Sequence, residues 1–258
     1  MSGLVDLQRD GALAFVTLAQ PAKFNAMSRA MWRQLRELFL ALHAQPGLRV
    51  IVLQGQGGHF CAGGDIAEYT DFRFEPEGLR AFHENDVWGG LSAVLDCDVP
   101  VIAAIEGHCM GAGLEIASCC DLRLAATSAR FGAPIAKLGF PMAPREAALV
   151  ARAVGELTAR EMLLAARVLD APTLLARGFL NEVCTDHELA ATCLALAQRM
   201  AQLAPEAARM NKRMLRQLQQ QGPVALPQLV EGAYDYADSA EHREGVAAFM
   251  AKRPAVFL

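Results

Sequence analysis

An acidic residue, Glu115, lies in an otherwise apolar segment that follows a glycine-rich turn. The turn contains Gly107, Gly111 and Gly113, and the segment after it is typical of a buried helix. The first amide N–H groups of a helix lack intrahelical acceptors, so they suit an oxygen that becomes negative during a reaction. Because residues three apart share a helix face, the N–H of Ala112 and the carboxylate of Glu115 can form one pocket wall. This pattern predicts an anion stabiliser beside a proton carrier.

A second glycine-rich stretch, residues 57–66, has the same relation to an apolar strand. It follows the run 50–53 and offers further backbone donors beside Gly63 and Gly64. Taken singly, the glycines of either stretch also suit ordinary tight turns. The two stretches together favour a site built from main-chain amides. The chain contains no Gly-x-Ser-x-Gly motif, so a serine hydrolase finds no support.

The elements that must position these groups are predicted as strands and helices in alternation. The almost unbroken apolar run 99–105 indicates a strand that is buried on both faces. Strand 13–18 should pair with the segment 4–7, and Ser28 can cap a helix that extends to about residue 43. Parallel strands joined by helices are the most economical arrangement of these elements.

The remainder of the chain is predicted to be irregular and then helical. Residues 70–85 form the least regular region, which suits either a mobile flap over a pocket or a variable surface loop. Beyond Pro141 we expect helices, with Pro144 at a first helical position and Asp186 as the cap of a helix to about residue 203. The last predicted helices span residues 205–221, 228–237 and 240–251.

Length and composition are those of a globular protein with a substantial core. The 258 residues are 53% hydrophobic and 20% charged, enough for one large domain or one domain with a small appendage. The net charge of −4 is not typical of a protein that binds nucleic acid, which usually carries a basic surface. We also expect no membrane association, because no apolar window approaches the roughly 18 residues of a membrane span.

Cysteine and histidine usage predicts a reduced, metal-free protein. The seven cysteines occupy apolar settings and form no Cys-x-x-Cys pair, and the histidines show no close spacing of metal ligands. The first ten residues lack a basic region followed by an apolar core, so they are not typical of a signal peptide. These features favour a cytoplasmic location.

The two glycine-rich stretches resemble the oxyanion-hole signatures of the crotonase (enoyl-CoA hydratase/isomerase) superfamily. The resemblance runs over nearly the whole chain, from residues 21–27 to residues 244–253. It implies an α/β fold, a crotonase-like spiral of repeated β-β-α units over residues 1–200. A C-terminal helical trimerisation region would follow over residues 201–258. The resemblance further implies a homotrimer or a dimer of trimers.

The resemblance also implies an acyl-CoA thioester substrate, with coenzyme A as part of the substrate and no separate cofactor. The thioester carbonyl would lie between the N–H groups of Gly64 and Ala112, and Glu115 matches one of the two catalytic glutamates of the hydratases. Ala112 stands where glycine is commoner, but a helix-start alanine can still present its N–H. A glutamate bonded to the backbone or to an arginine is the structural alternative for Glu115.

One departure from the family pattern bears directly on the reaction. Ile135 occupies the place of the second hydratase glutamate, and isoleucine can neither bind water nor carry a proton. Hydration of a 2-enoyl-CoA is the leading hypothesis. Double-bond isomerisation or decarboxylation, which need Glu115 alone, and a non-catalytic acyl-CoA-binding protein are the alternatives. Glu146 and Glu68 are candidate substitutes for the missing acid.

Contacts with coenzyme A are implied mainly by the resemblance. Lysines can bind phosphate groups, and the backbone of Ala62, Gly64, Asp65 and Ile66, in the stretch 57–66, can surround the adenine and the carbonyl. His108, beside the turn, is expected to pack or to hydrogen-bond rather than react. The residues that match coenzyme-binding positions are Lys23, Phe24, Ala62, Asp65, Ile66 and Lys252.

Overall fold

A computed structural model describes residues 3–257, and the apolar run at the centre of the sequence forms the centre of its main sheet. All five side chains of β4 (Val101–Ile105) are buried, as expected for a strand covered on both faces. The nine strands are β1 Leu4–Asp10, β2 Leu13–Ala19, β3 Val50–Gly55, β4 Val101–Ile105, β5 His108–Met110, β6 Leu122–Ala126, β7 Arg130–Gly132, β8 Val168–Asp170 and β9 Glu182–Cys184 among the residues described.

The strands form two sheets, and the site predicted above lies where the chain passes from one to the other. The larger sheet has the order β1-β2-β3-β4-β6-β9, antiparallel only between β1 and β2. The smaller has the order β5-β7-β8, with β5 and β7 parallel. The chain leaves β4 of the large sheet and enters β5 of the small one within a few residues, by way of Gly107 at φ +50°.

Helices cover the sheets and make up most of the second half of the chain. In the part that the structure describes, they are α1 Arg29–His43, α2 Pro76–Ala81, α3 Trp88–Asp96, α4 Ala112–Cys119, α5 Pro144–Val154, α6 Glu156–Leu164, α7 Ala171–Ala176, α8 Leu189–Ala201, α9 Pro205–Gln221, α10 Leu226–Glu231 and α11 Ala240–Met250. None of these is long and apolar enough to cross a membrane.

Local signals in the sequence place several elements correctly. Ser28 caps α1 by accepting a hydrogen bond from the N–H of Met31 at 3.2 Å. Pro144 and Pro205 occupy the first positions of α5 and α9. These signals act within one turn of helix, so the surrounding structure does not override them.

Other expectations for the second half of the chain are wrong. Asp186 does not cap a helix: α8 begins at Leu189, and Asp186 accepts hydrogen bonds from Ser128 N–H and the Thr127 hydroxyl. The helix expected over residues 228–237 is the shorter α10, which ends at Glu231. Two short strands, β8 and β9, interrupt the region expected to be helical, because sheet pairing supplied by distant segments outweighs local propensity there.

The irregular region 70–85 contains ordered structure. It includes α2 and a π-helical turn over Phe82–Val87 that continues directly into α3. The segment before it, Ile66–Asp71, is a 3₁₀ helix capped by Asp65. This region lies over one side of the candidate site and supplies several of its side chains.

Candidate active site

The two glycine-rich stretches lie side by side. The N–H of Cys61 donates to the carbonyl of His108 at 2.8 Å, and the N–H of Met110 donates to the carbonyl of Cys61 at 2.9 Å. Gly63 and Gly111 have φ of +122° and +46°, conformations that favour glycine, and they approach each other closely. Stretches nearly fifty residues apart in the chain therefore form one surface.

Beyond this contact, two residues with unpaired main-chain amides line one pocket. Gly64 follows Gly63, and Ala112 is the first residue of α4; neither N–H has a hydrogen-bond acceptor within residues 3–257. Both residues line a cavity of about 330 Å³. Their unpaired donors, one of them at a helix start, suit an oxygen that carries negative charge.

Glu115 lies in the wall of the same pocket, one turn along α4 from Ala112. Glu115 is partly buried, and most of the side chains that share the pocket lining with it are apolar. Desolvation, followed by the nearby negative charge of Glu146, raises the pKa of Glu115 from 4.5 to about 8. At neutral pH most molecules therefore hold a proton on this carboxyl, which can be donated.

Ile135 lines the pocket as well, so the apolar side chain contributes to the site where the resemblance would place a second acid. Of the two candidate substitutes, Glu68 is used elsewhere. Its carboxylate accepts the N–H of Arg29 at 2.8 Å, at the start of α1, and Glu68 is not part of the pocket lining.

Glu146 reaches the pocket through a histidine that sequence reasoning missed. Glu146 is only 2% exposed, in the first turn of α5, and its Oε1 lies 2.9 Å from Nδ1 of His83. His83 lines the pocket from the π-helical turn. With Nδ1–H donating to the carboxylate, Nε2 is free to accept a proton, the arrangement of a base oriented by an acid.

An aromatic wall with an arginine closes another side and was also missed. The ring of Tyr69 lines the pocket and its hydroxyl lies directly against Gly64. The guanidinium of Arg73 stacks 4.5 Å from the Tyr69 ring centroid and 3.7 Å from that of Phe140. The one-turn spacing of Tyr69 and Arg73 was the available signal, but the region has too little helical periodicity to make it readable.

The predicted coenzyme-binding residues are dispersed around the site. Ala62 and Ile66 line the pocket, Ile66 being 54% exposed at its edge. The ammonium of Lys23 lies 2.5 Å from the carboxylate of Asp65, which also caps the 3₁₀ helix after it. The ring of Phe24, 49% exposed, contacts His59. The side chain of Asp65 therefore has a structural role, and coenzyme contact by these residues stays a prediction.

Two further residues from the sequence analysis, His108 and Lys252, also lie outside the pocket lining. The imidazole of His108 stacks on that of His59 with ring centroids 4.6 Å apart. The His108 N–H also donates to His59 Nδ1 at 3.1 Å, so this histidine packs beside the turn. Lys252 follows the end of α11 with φ +51°, and it is exposed.

Comparisons with known proteins identify the family of the chain. The family model for enoyl-CoA hydratase/isomerase matches residues 8–258. A protein of Mycobacterium bovis named "probable enoyl-CoA hydratase" is 30% identical over 255 residues, 97% of this chain and 96% of its own. A mevalonyl-coenzyme A hydratase of Beauveria bassiana is 33% identical over 252 residues, covering 94% of this chain and 90% of its own.

Among solved structures, an enoyl-CoA hydratase/carnithine racemase from Magnetospirillum magneticum superposes with a TM-score of 0.94 at 39% identity. The match covers 98% of this chain and 95% of that one, so the two-sheet architecture described above is the crotonase fold. The family model, the relatives and the solved structures all match nearly the whole chain, and all belong to one family. The chain therefore belongs to the enoyl-CoA hydratase/isomerase family of enzymes.

Proposed function

We propose that this enzyme hydrates a 2-enoyl-CoA thioester, adding water across the conjugated double bond. The observation that carries the proposal is that two free main-chain amides, Gly64 and Ala112, share one pocket with Glu115. The amides would hold the thioester oxygen as it gains enolate charge, and removal of such a donor typically raises the barrier by roughly 3 kcal/mol. The names of the relatives favour hydration within the family.

Hydration needs two proton-handling groups, and the second is the pair of His83 with Glu146. Nε2 of His83 takes a proton from water while the water oxygen bonds to the β carbon of the enoyl group. The electron pair of the double bond moves onto the thioester oxygen, and Glu115 then delivers its proton to the α carbon. The pair of His83 and Glu146 supplies the base that Ile135 cannot provide.

Double-bond isomerisation is the second candidate, favoured by one specific observation. Ile135 leaves Glu115 as the one carboxyl in the described pocket lining. A single carboxyl suffices to move a proton between the α and γ carbons. In that reaction His83 would not transfer a proton, which separates the two candidates experimentally. Decarboxylation through the same enolate also needs no second base.

Ultraviolet absorbance of the conjugated thioester tests the proposal. Crotonyl-CoA should lose absorbance with the wild-type enzyme, and both Glu115→Gln and His83→Gln should lower kcat at least about 100-fold, the usual contribution of a general acid or base. His187→Gln is the matched control because His187 is exposed, lies outside the pocket lining and has its hydrogen bond with Thr185. Glu146→Gln keeps a hydrogen-bonding side chain beside His83 and should also lower kcat, so the proposal stays testable if His83→Gln fails to fold.

The opposing outcomes are distinct. A gain of absorbance from a 3-enoyl-CoA, unaffected by His83→Gln and without hydration of crotonyl-CoA, would establish isomerisation instead. Binding of thioesters with neither reaction, over a broad panel of acyl groups, would establish a non-catalytic protein.

A further inference from the structure

Arg73 places a positive charge in the pocket without a counter-ion. Within residues 3–257, no carboxylate lies within 4.0 Å of its guanidinium, and its side chain makes no hydrogen bond. The side chain is half-buried, and desolvation lowers its pKa. Only the stacked rings of Tyr69 and Phe140 compensate for the lost water. A guanidinium left in this state is ready to bind an anion bidentately.

A second unpaired donor lies close to the pocket. The indole N–H of Trp32, a residue 1% exposed that lines the cavity, has no hydrogen-bond partner in the part of the chain that is described. The benzene edge of this indole packs against Gly90 of α3, on the opposite side of the ring from the N–H. The indole nitrogen is itself fully buried, so a ligand in the cavity cannot contact it, and recognition of acceptor oxygens falls to the guanidinium of Arg73.

The aromatic wall relates Arg73 to the thioester. The hydroxyl of Tyr69 touches Gly64, whose N–H is one of the two free amides, and the ring of Tyr69 carries the guanidinium of Arg73. The side chain of Tyr69 therefore lies between the amide that is predicted to bind the thioester oxygen and the guanidinium of Arg73. An acyl chain that extends from that oxygen to Arg73 is therefore about as long as one tyrosine side chain, which means a short acyl chain.

The remaining charged groups of the lining do not neutralise Arg73. Glu115 is mostly protonated below its pKa of about 8, and Lys137 is a second cation, exposed, in the segment Pro134–Leu138. Phe82, Val87 and Met142 make most of the other contacts apolar. The pocket is thus apolar with a positive end.

We infer that the substrate of this enzyme is a short 2-enoyl-CoA whose acyl chain ends in a carboxylate, and that Arg73 binds that carboxylate. The inference rests on the proposed function for the reaction but on separate residues for the specificity. Coenzyme A offers another source of anionic oxygen, its phosphates, and the same guanidinium chemistry would bind them. Binding of free coenzyme A separates the two sources.

Binding of two unreactive saturated thioesters by calorimetry isolates the carboxylate. Glutaryl-CoA carries a carboxylate where pentanoyl-CoA carries a methyl group, and neither has a double bond to hydrate. The wild-type enzyme should bind glutaryl-CoA about 10- to 100-fold more tightly, the usual range for a hydrogen bond to a charged group. Arg73→Met, which keeps an apolar chain on the rings, should abolish this preference and leave pentanoyl-CoA binding unchanged, whereas Arg73→Lys should keep part of it.

Control variants come from two nearby cations. Arg80 is exposed on α2 and outside the pocket lining, so Arg80→Met should keep the full preference for glutaryl-CoA. Lys137→Met should reduce the preference less than Arg73→Met does. A larger effect of Lys137→Met would assign the carboxylate to the lysine and overturn the inference.

Other outcomes also decide the question. Equal wild-type affinity for the two thioesters, or no binding of either, overturns the inference. Loss of affinity for free coenzyme A and for both thioesters alike in Arg73→Met would place the arginine on a phosphate, which also overturns it. Failure to hydrate the corresponding 2-enoyl thioesters, glutaconyl-CoA and 2-pentenoyl-CoA, would overturn the proposed reaction but leave the specificity of binding standing.

Discussion

Glu115 gains its chemical character from its surroundings. An exposed glutamate is ionised at neutral pH, but the apolar neighbours of Glu115 and the charge of Glu146 hold a proton on it. The group that the sequence suggests as a proton carrier is therefore in the protonated, donating form over the ordinary working range of pH. This state suits the final step of hydration, in which the α carbon receives a proton.

The pH dependence of kcat tests this role. If protonated Glu115 is the active form, kcat should fall tenfold per unit as the pH rises above its pKa of about 8. Because the negative charge of Glu146 contributes to the raised pKa, Glu146→Gln should move this alkaline limb to lower pH, whatever its effect on the maximal rate. An alkaline limb at the same pH in both proteins would contradict the assignment.

At the level of elements, α4 carries both a free amide and Glu115, and its support comes from a helix far along the chain. The ammonium of Lys212 on α9 is buried, 2.6 Å from the carboxylate of Asp121 and 2.9 Å from the carbonyl of Val99. Asp121 ends the turn that follows α4 and also accepts the N–H of Val101. One buried lysine thus joins α9 to both the strand before the site and the turn after it.

Substitution of Lys212 should therefore cost more than the loss of a surface ion pair. Lys212→Met leaves the Asp121 carboxylate and the Val99 carbonyl without this donor, and the free energy of unfolding should fall by about 2–3 kcal/mol, at the low end for a buried pair because Asp121 is partly exposed. Chemical denaturation with urea measures the change. Arg160→Gln, which removes an exposed pair with Glu156, should cost less than about 0.5 kcal/mol. Equal costs would show that α9 is not held by this contact.

Elements also show where local sequence signals are sufficient. The sequence predicted where α1, α5 and α9 begin. Ser28 and the two prolines each act on the first turn of their own helix, so their effect does not depend on distant residues. Asp186 looked like a cap by the same rule, but its carboxylate is occupied by Thr127 and Ser128 of another segment. A residue with two competing uses cannot be assigned from its neighbours in the chain alone.

At the scale of the whole molecule, the C-terminal helices expose a large apolar surface. Phe249 and Met250 at the end of α11 are 82% and 76% exposed, and Val246 and Tyr234 add to the same part of the chain. Exposed apolar residues in such number are typical of an interface between proteins. The homotrimer implied by the family resemblance would bury them, and this stays a prediction.

Analytical ultracentrifugation tests that assembly. The wild-type protein should sediment as a trimer or a dimer of trimers, and the double substitution Phe249→Glu with Met250→Glu should shift it to a smaller species. Leu40→Glu, at a 57% exposed position of α1, is the control and should leave the mass unchanged. A wild-type monomer, or an unchanged mass in the double variant, would contradict this use of the C-terminal helices.

The sequence by itself determined the family, the crotonase fold and the parts of the site that are encoded locally. Backbone amides beside glycines, a helix start and an acid one turn later are all set within a few residues, so Gly64, Ala112 and Glu115 could be named in advance as candidates. The isoleucine at position 135 was equally readable, because it stands within a motif.

Only the tertiary structure decided which distant side chains complete the pocket. His83 meets Glu146 across 63 residues, and Arg73 meets Phe140 across a similar interval. Such contacts depend on how an irregular segment folds back over α4 and α5. Neither hydrophobic periodicity nor a helix-capping residue in that segment predicts how it folds. The protonation state of Glu115 likewise depends on the tertiary structure. Its desolvation and the neighbouring charge of Glu146 exist only after the chain has folded.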